Sequence, residues 1–282
     1  MRIDAHQHFW KYTAQEFEWI EEPMAAIRRD FLPPDLKAEM GAAVVDRVIS
    51  VQARQTIEET EWLLQLADVH DWIAGVVGWV PLISPDLNRT LERFTANRKL
   101  RGVRHILQSE PDGYMDCDDF SRGLKEVTRL GLAYELLVFH QQLPKATRLV
   151  DRHSNLTMVL DHIGKPNIAR NELEPWRHNI RELARRPQVY CKISGMVTEA
   201  DFLHWDEAQL QPFLDAVLEA FGPERLIFGS DWPVAKVAIE YVDWVELVNR
   251  FVSSLSATER ESIFSGSARK PYKLDQIWSA NP

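Results

Sequence analysis

The sequence predicts a TIM-type (β/α)8 barrel, built as a single domain over residues 1–282. Three observations predict it. Eight short apolar runs are spread along the whole length, and stretches with helical spacing separate them. The length suits one α/β barrel. The first run is not followed by a Gly-x-Gly-x-x-Gly turn, which weakens the main rival, an open doubly wound sheet.

The runs are 2–9, 44–54, 72–82, 100–108, 132–139, 156–164, 189–196 and 226–234. Most are rich in Val, Ile, Leu and aromatics. Each is too short and too β-branched for a good helix, so each reads as a buried strand. The predicted helices are 57–70, 86–97, 119–130, 142–153, 172–186, 206–221 and 239–254. In 57–70, Trp62, Leu63, Leu66 and Val69 form one apolar stripe, and Glu58, Glu59 and Glu61 lie near the N-terminal end, where the helix dipole favours them. Gly222-Pro223 stops the helix at 206–221. Segment 10–43 reads as a long βα connection carrying Trp10, Trp19, Pro23, Phe31, Pro33 and Pro34, placed as a lid or a wall for substrate.

Bulk composition narrows the function. The net charge of −9 argues against a nucleic-acid partner, because phosphate binding needs a basic face. No window of about 18 apolar residues exists, so no membrane span is expected. The N-terminus lacks the apolar core of a signal peptide. Cys117 and Cys191 imply no disulfide framework, and the cytoplasm is the expected compartment. A homo-oligomer is compatible with all of this.

A barrel of this kind places its chemistry at the C-terminal ends of the strands. Five of the nine histidines fall at such ends: His6, His8, His105, His140 and His162. His6 and His8 are two apart on a strand and point the same way. They suit a divalent metal, with Asp231 as a further ligand or as the base. An isolated pair could equally be two satisfied core histidines, and Asp231 could be a capping residue; strand-end placement of His162 and Asp231 favours a site. His162 is expected to bind metal or polarise a carbonyl oxygen, and Lys165 to hold a carboxylate or be solvated. Arg104 and His105 are adjacent, so only one should face the barrel unless the strand is already turning. Gln52, Arg104, His105 and His140 are the candidates for binding substrate polar groups, and Trp79 and Trp232 for stacking on a ring. His70, His153, His178 and His204 fall on or beside helices and are expected in solvent.

At these residues the chain resembles the amidohydrolase superfamily, in the branch of sugar-acid lactonases. The resemblance rests on Ile3-Asp4-Ala5-His6-Gln7-His8-Phe9-Trp10, Gly102-Val103-Arg104-His105, Leu160-Asp161-His162-Ile163-Gly164-Lys165-Pro166, Cys191-Lys192-Ile193-Ser194-Gly195 and Phe228-Gly229-Ser230-Asp231-Trp232-Pro233. It runs from residue 1 to about 274. It implies a (β/α)8 barrel that hydrolyses a lactone, with His6 and His8 as the family's HxH pair, His162 as its later histidine and Asp231 as its acid/base. It also implies either one divalent ion, zinc foremost, or none, since relatives differ. The small-molecule partner would be an aldonolactone such as L-fuconolactone or L-rhamnonolactone. The alternative is a metal-dependent non-oxidative decarboxylase of a muconate or aromatic acid. One departure stands near the end, where Ser267 replaces the family's usual Asn; a local packing effect is expected.

Overall fold

The computed structural model describes residues 1–278. Eight parallel strands form one sheet in sequential order: β1 (Ile3–Gln7), β2 (Arg47–Val51), β3 (Ile73–Gly78), β4 (Leu100–His105), β5 (Ala133–Leu136), β6 (Met158–Leu160), β7 (Val189–Ile193) and β8 (Leu226–Phe228). The sheet rolls back on itself just beyond β8. Asp231 N–H donates to the His6 carbonyl at 2.8 Å, and His8 N–H donates to the Trp232 carbonyl at 2.7 Å. The Asp4 carboxylate reinforces this seam by accepting from Ser230 N–H, Ser230 Oγ and Tyr241 Oη.

The helices are α1 (Pro33–Ala43), α2 (Ile57–Val69), α3 (Leu87–Thr95), α4 (Asp118–Arg129), α5 (Leu143–Arg152), α6 (Trp176–Ala184), α7 (Glu207–Phe221) and α8 (Tyr241–Phe251). Local chemistry sets several ends. Thr56 caps α2 by accepting from Glu59 N–H, Asp206 caps α7 by accepting from Gln209 N–H, and Gly222 at φ 67° ends α7. The strands are buried on both faces. Ile49, Val51, Ala133, Val159 and Ile227 point into the barrel, and Val48, Leu136, Leu160 and Phe228 pack outward against the helices. Tyr272 and Leu274 join the interior cluster, and Tyr272 Oη donates to Glu135 Oε1.

Three readings of the sequence need correction. Segment 10–43 is more than a loop: it holds a 3-10 turn at Glu22–Ile27 and then α1, the first helix of the barrel. The short, proline-led α1 has only Leu36, Met40 and Ala43 as a buried stripe after Pro33, too sparse to stand out by periodicity. The run at 156–164 stops being a strand at Leu160, where the chain turns. His153 is buried, not solvated, and its Nε2 bonds Ser121 Oγ at 3.1 Å. Ser267 fits the packing expectation, donating from a buried position to the Pro223 carbonyl at 2.9 Å.

Candidate active site

Local backbone irregularities aim the functional side chains. The β1–β2 register slips between Asp4 and Gln7, so that Ala5 lies in the barrel interior and His6, next along, also reaches the mouth. After β6 the chain enters the left-handed region at His162 (φ 52°), Ile163 (φ 49°) and Lys165 (φ 47°), and after β8 at Asp231 (φ 59°). Non-glycine residues there carry roughly 1 kcal/mol or more of strain each, and such strain gathers at functional sites. Two glycines clear the space. A Cβ on Gly195 would stand 2.6 Å from His162 Cγ, and one on Gly229 would stand 2.7 Å from His6 Cβ.

The result is one buried cluster. His6 Nε2 lies 3.2 Å from His8 Nε2, and Asp231 Oδ1 lies 3.4 Å from His8 Nε2 and 3.8 Å from His6 Nε2. A tetrahedral ion with bonds of 2.0–2.1 Å needs ligand atoms roughly 3.3–3.4 Å apart. His8 Nδ1–H donates to the Val51 carbonyl at 2.8 Å, which leaves its Nε2 lone pair facing the cluster. These three residues therefore fit a divalent ion; His6, Asp161 and His162 form a second, overlapping group. The His162 ring centroid is 4.5 Å from that of His6, and its Nδ1 meets Ser194 Oγ at 3.0 Å.

The electrostatics favour neutral rings beside an ionised acid. Burial, with Lys192 and Asp161 pulling in opposite directions, holds His6 well below the usual imidazole range. Burial does the same to His162. Burial alone would raise Asp231, but the nearby His162, His8 and Lys165 outweigh it and hold its carboxyl below the ordinary value.

Above the cluster is a cavity of about 400 Å3. His8, Arg104, His162, Lys165 and Asp231 lie on it, facing Trp10, Trp19 and Met24 from the segment after β1. Segment 10–43 thus forms one wall of this cavity. Trp10 is fixed by a two-way backbone pairing with Phe31 and by Nε1–H donation to the Arg29 carbonyl.

The other candidates lie at varied distances from this cavity. Arg104 is the member of its pair that faces inward, with Nη1 3.1 Å from Asp161 Oδ2, Nη2 donating to the Gln52 carbonyl and Nε without a protein partner. His105 faces away: it stacks on Tyr114, accepts from Trp79 Nε1 at Nδ1 and donates to Glu110 from Nε2. That network anchors the loop carrying Ile106, Gln108 and Ser109 into the cavity wall. Gln52 is buried just behind, its Oε1 without a protein partner. His140 bonds the Lys165 carbonyl and lines a smaller neighbouring cavity. Trp79 is spent on His105, and Trp232 packs on Phe9 and Phe31 and donates to Glu39. Sequence reasoning gave no role to Lys192, Glu135, Ser194 or Glu199. Lys192 is fully buried against Glu135 and Asp161, and Glu199 pairs with Lys165 at 3.0 Å. A lysine inside a strand otherwise made of apolar residues, Val189–Ile193, was the available signal.

With the geometry in place, comparison with known proteins places the chain. The amidohydrolase family model matches residues 3–274. The chain belongs to this family. It is 43% identical to an L-fucono-1,5-lactonase of Burkholderia multivorans, over 98% of this chain and 97% of that one. It is 36% identical to an L-fucono-1,5-lactonase of Burkholderia ambifaria, over 98% and 96%. A crystal structure of a Burkholderia multivorans amidohydrolase with bound zinc superposes with a TM-score of 0.93 at 44% identity, covering 97% of this chain and 99% of that one. Decarboxylases of the same fold are similar at only 17–18% identity, a likeness that shows the fold alone. Among the described residues, no helix is long and apolar enough to cross a membrane.

Proposed function

We propose that this amidohydrolase is a lactonase that opens a sugar-acid lactone of the L-fucono-1,5-lactone kind. The observation that carries the reading is Asp231, its carboxyl held below the ordinary value, set beside the buried His6, His8 and His162 at a cavity sized for one small ligand. Kinship with lactonases at 43% and 36% identity supports the substrate class and sets the decarboxylase alternative behind it.

Hydrolysis needs a nucleophilic water and a stabilised oxyanion. Asp231 takes the proton as water attacks the lactone carbonyl, then returns it to the ring oxygen as the C–O bond breaks. With Ser194 Oγ–H donating to His162 Nδ1, the ring presents Nε2–H to the carbonyl oxygen. Arg104 and Lys165 meet the sugar hydroxyls and the new carboxylate, and Trp10, Trp19 and Met24 cover the apolar face of the ring. His6, His8 and Asp231 would hold the divalent ion, zinc by donor set, which when bound supplies Lewis-acid polarisation of a carbonyl. The fold acts as one catalytic domain, and two free cysteines suit the cytoplasm as its location.

The test is acid release from a panel of aldonolactones, with and without a chelator, by the parent and by Asp231→Asn. A drop in kcat of about 10²-fold or more is expected in the variant. Full turnover by Asp231→Asn would overturn the mechanism, and silence of the parent on every lactone would overturn the function.

A further inference from the structure

Ring opening turns a neutral ester into a carboxylate, a hydroxyl and a proton released to solvent. The pocket therefore has to bind a neutral ring and then let go of an anion. Two cations reach its wall, Arg104 and Lys165. Unopposed, both would grip the new carboxylate. Each, however, already has a carboxylate of its own. Arg104 Nη1 lies 3.1 Å from Asp161 Oδ2, and Lys165 Nζ lies 3.0 Å from Glu199 Oε1.

The two pairs differ in what they show to a ligand. Asp161 has no exposed surface, whereas Glu199 lines the cavity itself. An anion drawn to Lys165 thus comes up against a second carboxylate on the same wall. Both partners are held in place by their loops. Lys165 follows β6 at φ 47°, its carbonyl accepts from His140 Nδ1 at 2.9 Å, and its ammonium stands 5.5 Å from the centre of the Phe139 ring. Glu199 ends the 3-10 turn Val197–Glu199 beyond β7, with its N–H donating to the Met196 carbonyl at 3.2 Å. The pair ties these two loops together, but a loop tie needs no place on the cavity wall.

We propose that Glu199 is a specificity-determining residue that sets the pocket against carboxylates. It competes with an anion for Lys165 and repels that anion, so the neutral lactone is favoured over its own ring-opened product and over lactones that carry a carboxylate. The inference rests on the lactonase reading for the identity of these ligands.

The experiment is titration calorimetry on the parent and Glu199→Gln, at one zinc concentration throughout. The probes are the aldonate made from the best lactone of the panel, or D-gluconate if none is turned over, each beside its uncharged carboxamide. Glu199→Gln keeps the shape and removes the charge; it should bind the aldonate about tenfold more tightly, a gain limited by solvent screening of a part-exposed pair. The carboxamide should change by less than about twofold, because it carries no charge for Glu199 to repel. Lys165→Met/Glu199→Gln should lose the gain, and Glu199→Ala stands in if Glu199→Gln does not fold. An aldonate affinity unchanged or lowered in the folded variant overturns the inference, as does equal tightening of both probes. Lactone turnover is read on the same samples. Turnover by the parent with no change in aldonate affinity sinks this inference alone, and a silent parent whose Glu199→Gln variant tightens on the aldonate sinks only the lactonase reading.

Discussion

Adding one methyl group at Gly195 should disable the site more than it harms the fold. The new Cβ of Gly195→Ala would stand 2.6 Å from His162 Cγ and 3.0 Å from His162 Cβ. Carbon atoms rest about 3.5–4.0 Å apart, so the ring must retreat by roughly 1 Å. It is buried and tied to Ser194 Oγ, so it cannot do so and keep that hydrogen bond. Gly195 also sits at φ 60°, where alanine costs about 1 kcal/mol more than glycine. With about 1–3 kcal/mol for overpacking, the destabilisation is about 2–4 kcal/mol. In a chain of this size that lowers Tm by roughly 5–15 °C. A 1 Å displacement of a catalytic group costs about 10²-fold in rate. The assay is kcat on the best lactone beside a thermal melt. Parent kcat together with parent Tm would refute the steric argument. A lowered Tm with full kcat would instead remove His162 from the mechanism.

Two further perturbations address the support of the site. Burial holds the His105 pKa below 6.5, with Glu110 opposing it, so protons bind the unfolded chain first. That stability is present above pH 6.5 and is lost as pH falls towards the folded-state value; urea unfolding on either side of pH 6.5 should show a smaller loss in His105→Gln, and equal losses would contradict this. The Glu59 carboxylate is buried and accepts from Ala53 N–H, Arg54 N–H and Arg54 Nε, holding the turn after β2. Glu59→Ala strands these donors and should cost about 2–4 kcal/mol in chemical denaturation, with under 0.5 kcal/mol showing that water replaces the carboxylate.

Much of the protein can be read from its residues in order. Short β-branched runs alternating with amphipathic stretches specify strands and helices, because a parallel strand buried on both faces has to be apolar throughout. Polar residues interrupting those runs at one end mark the mouth, which is how His6, His8, Arg104, His162 and Asp231 stand out. Helix α1 escaped this reading because prolines and a thin apolar stripe hide its period. Tertiary structure decided what depends on distance and direction between strands. The slip in β1 lets His6 join His8 at the site, and the inward turn of Arg104 leaves His105 to anchor a loop. Lys192 gains its meaning from Glu135 and Asp161 on neighbouring strands, far away in sequence. Periodicity reports which face a side chain occupies; which charge it meets there is fixed only when eight strands close into one barrel.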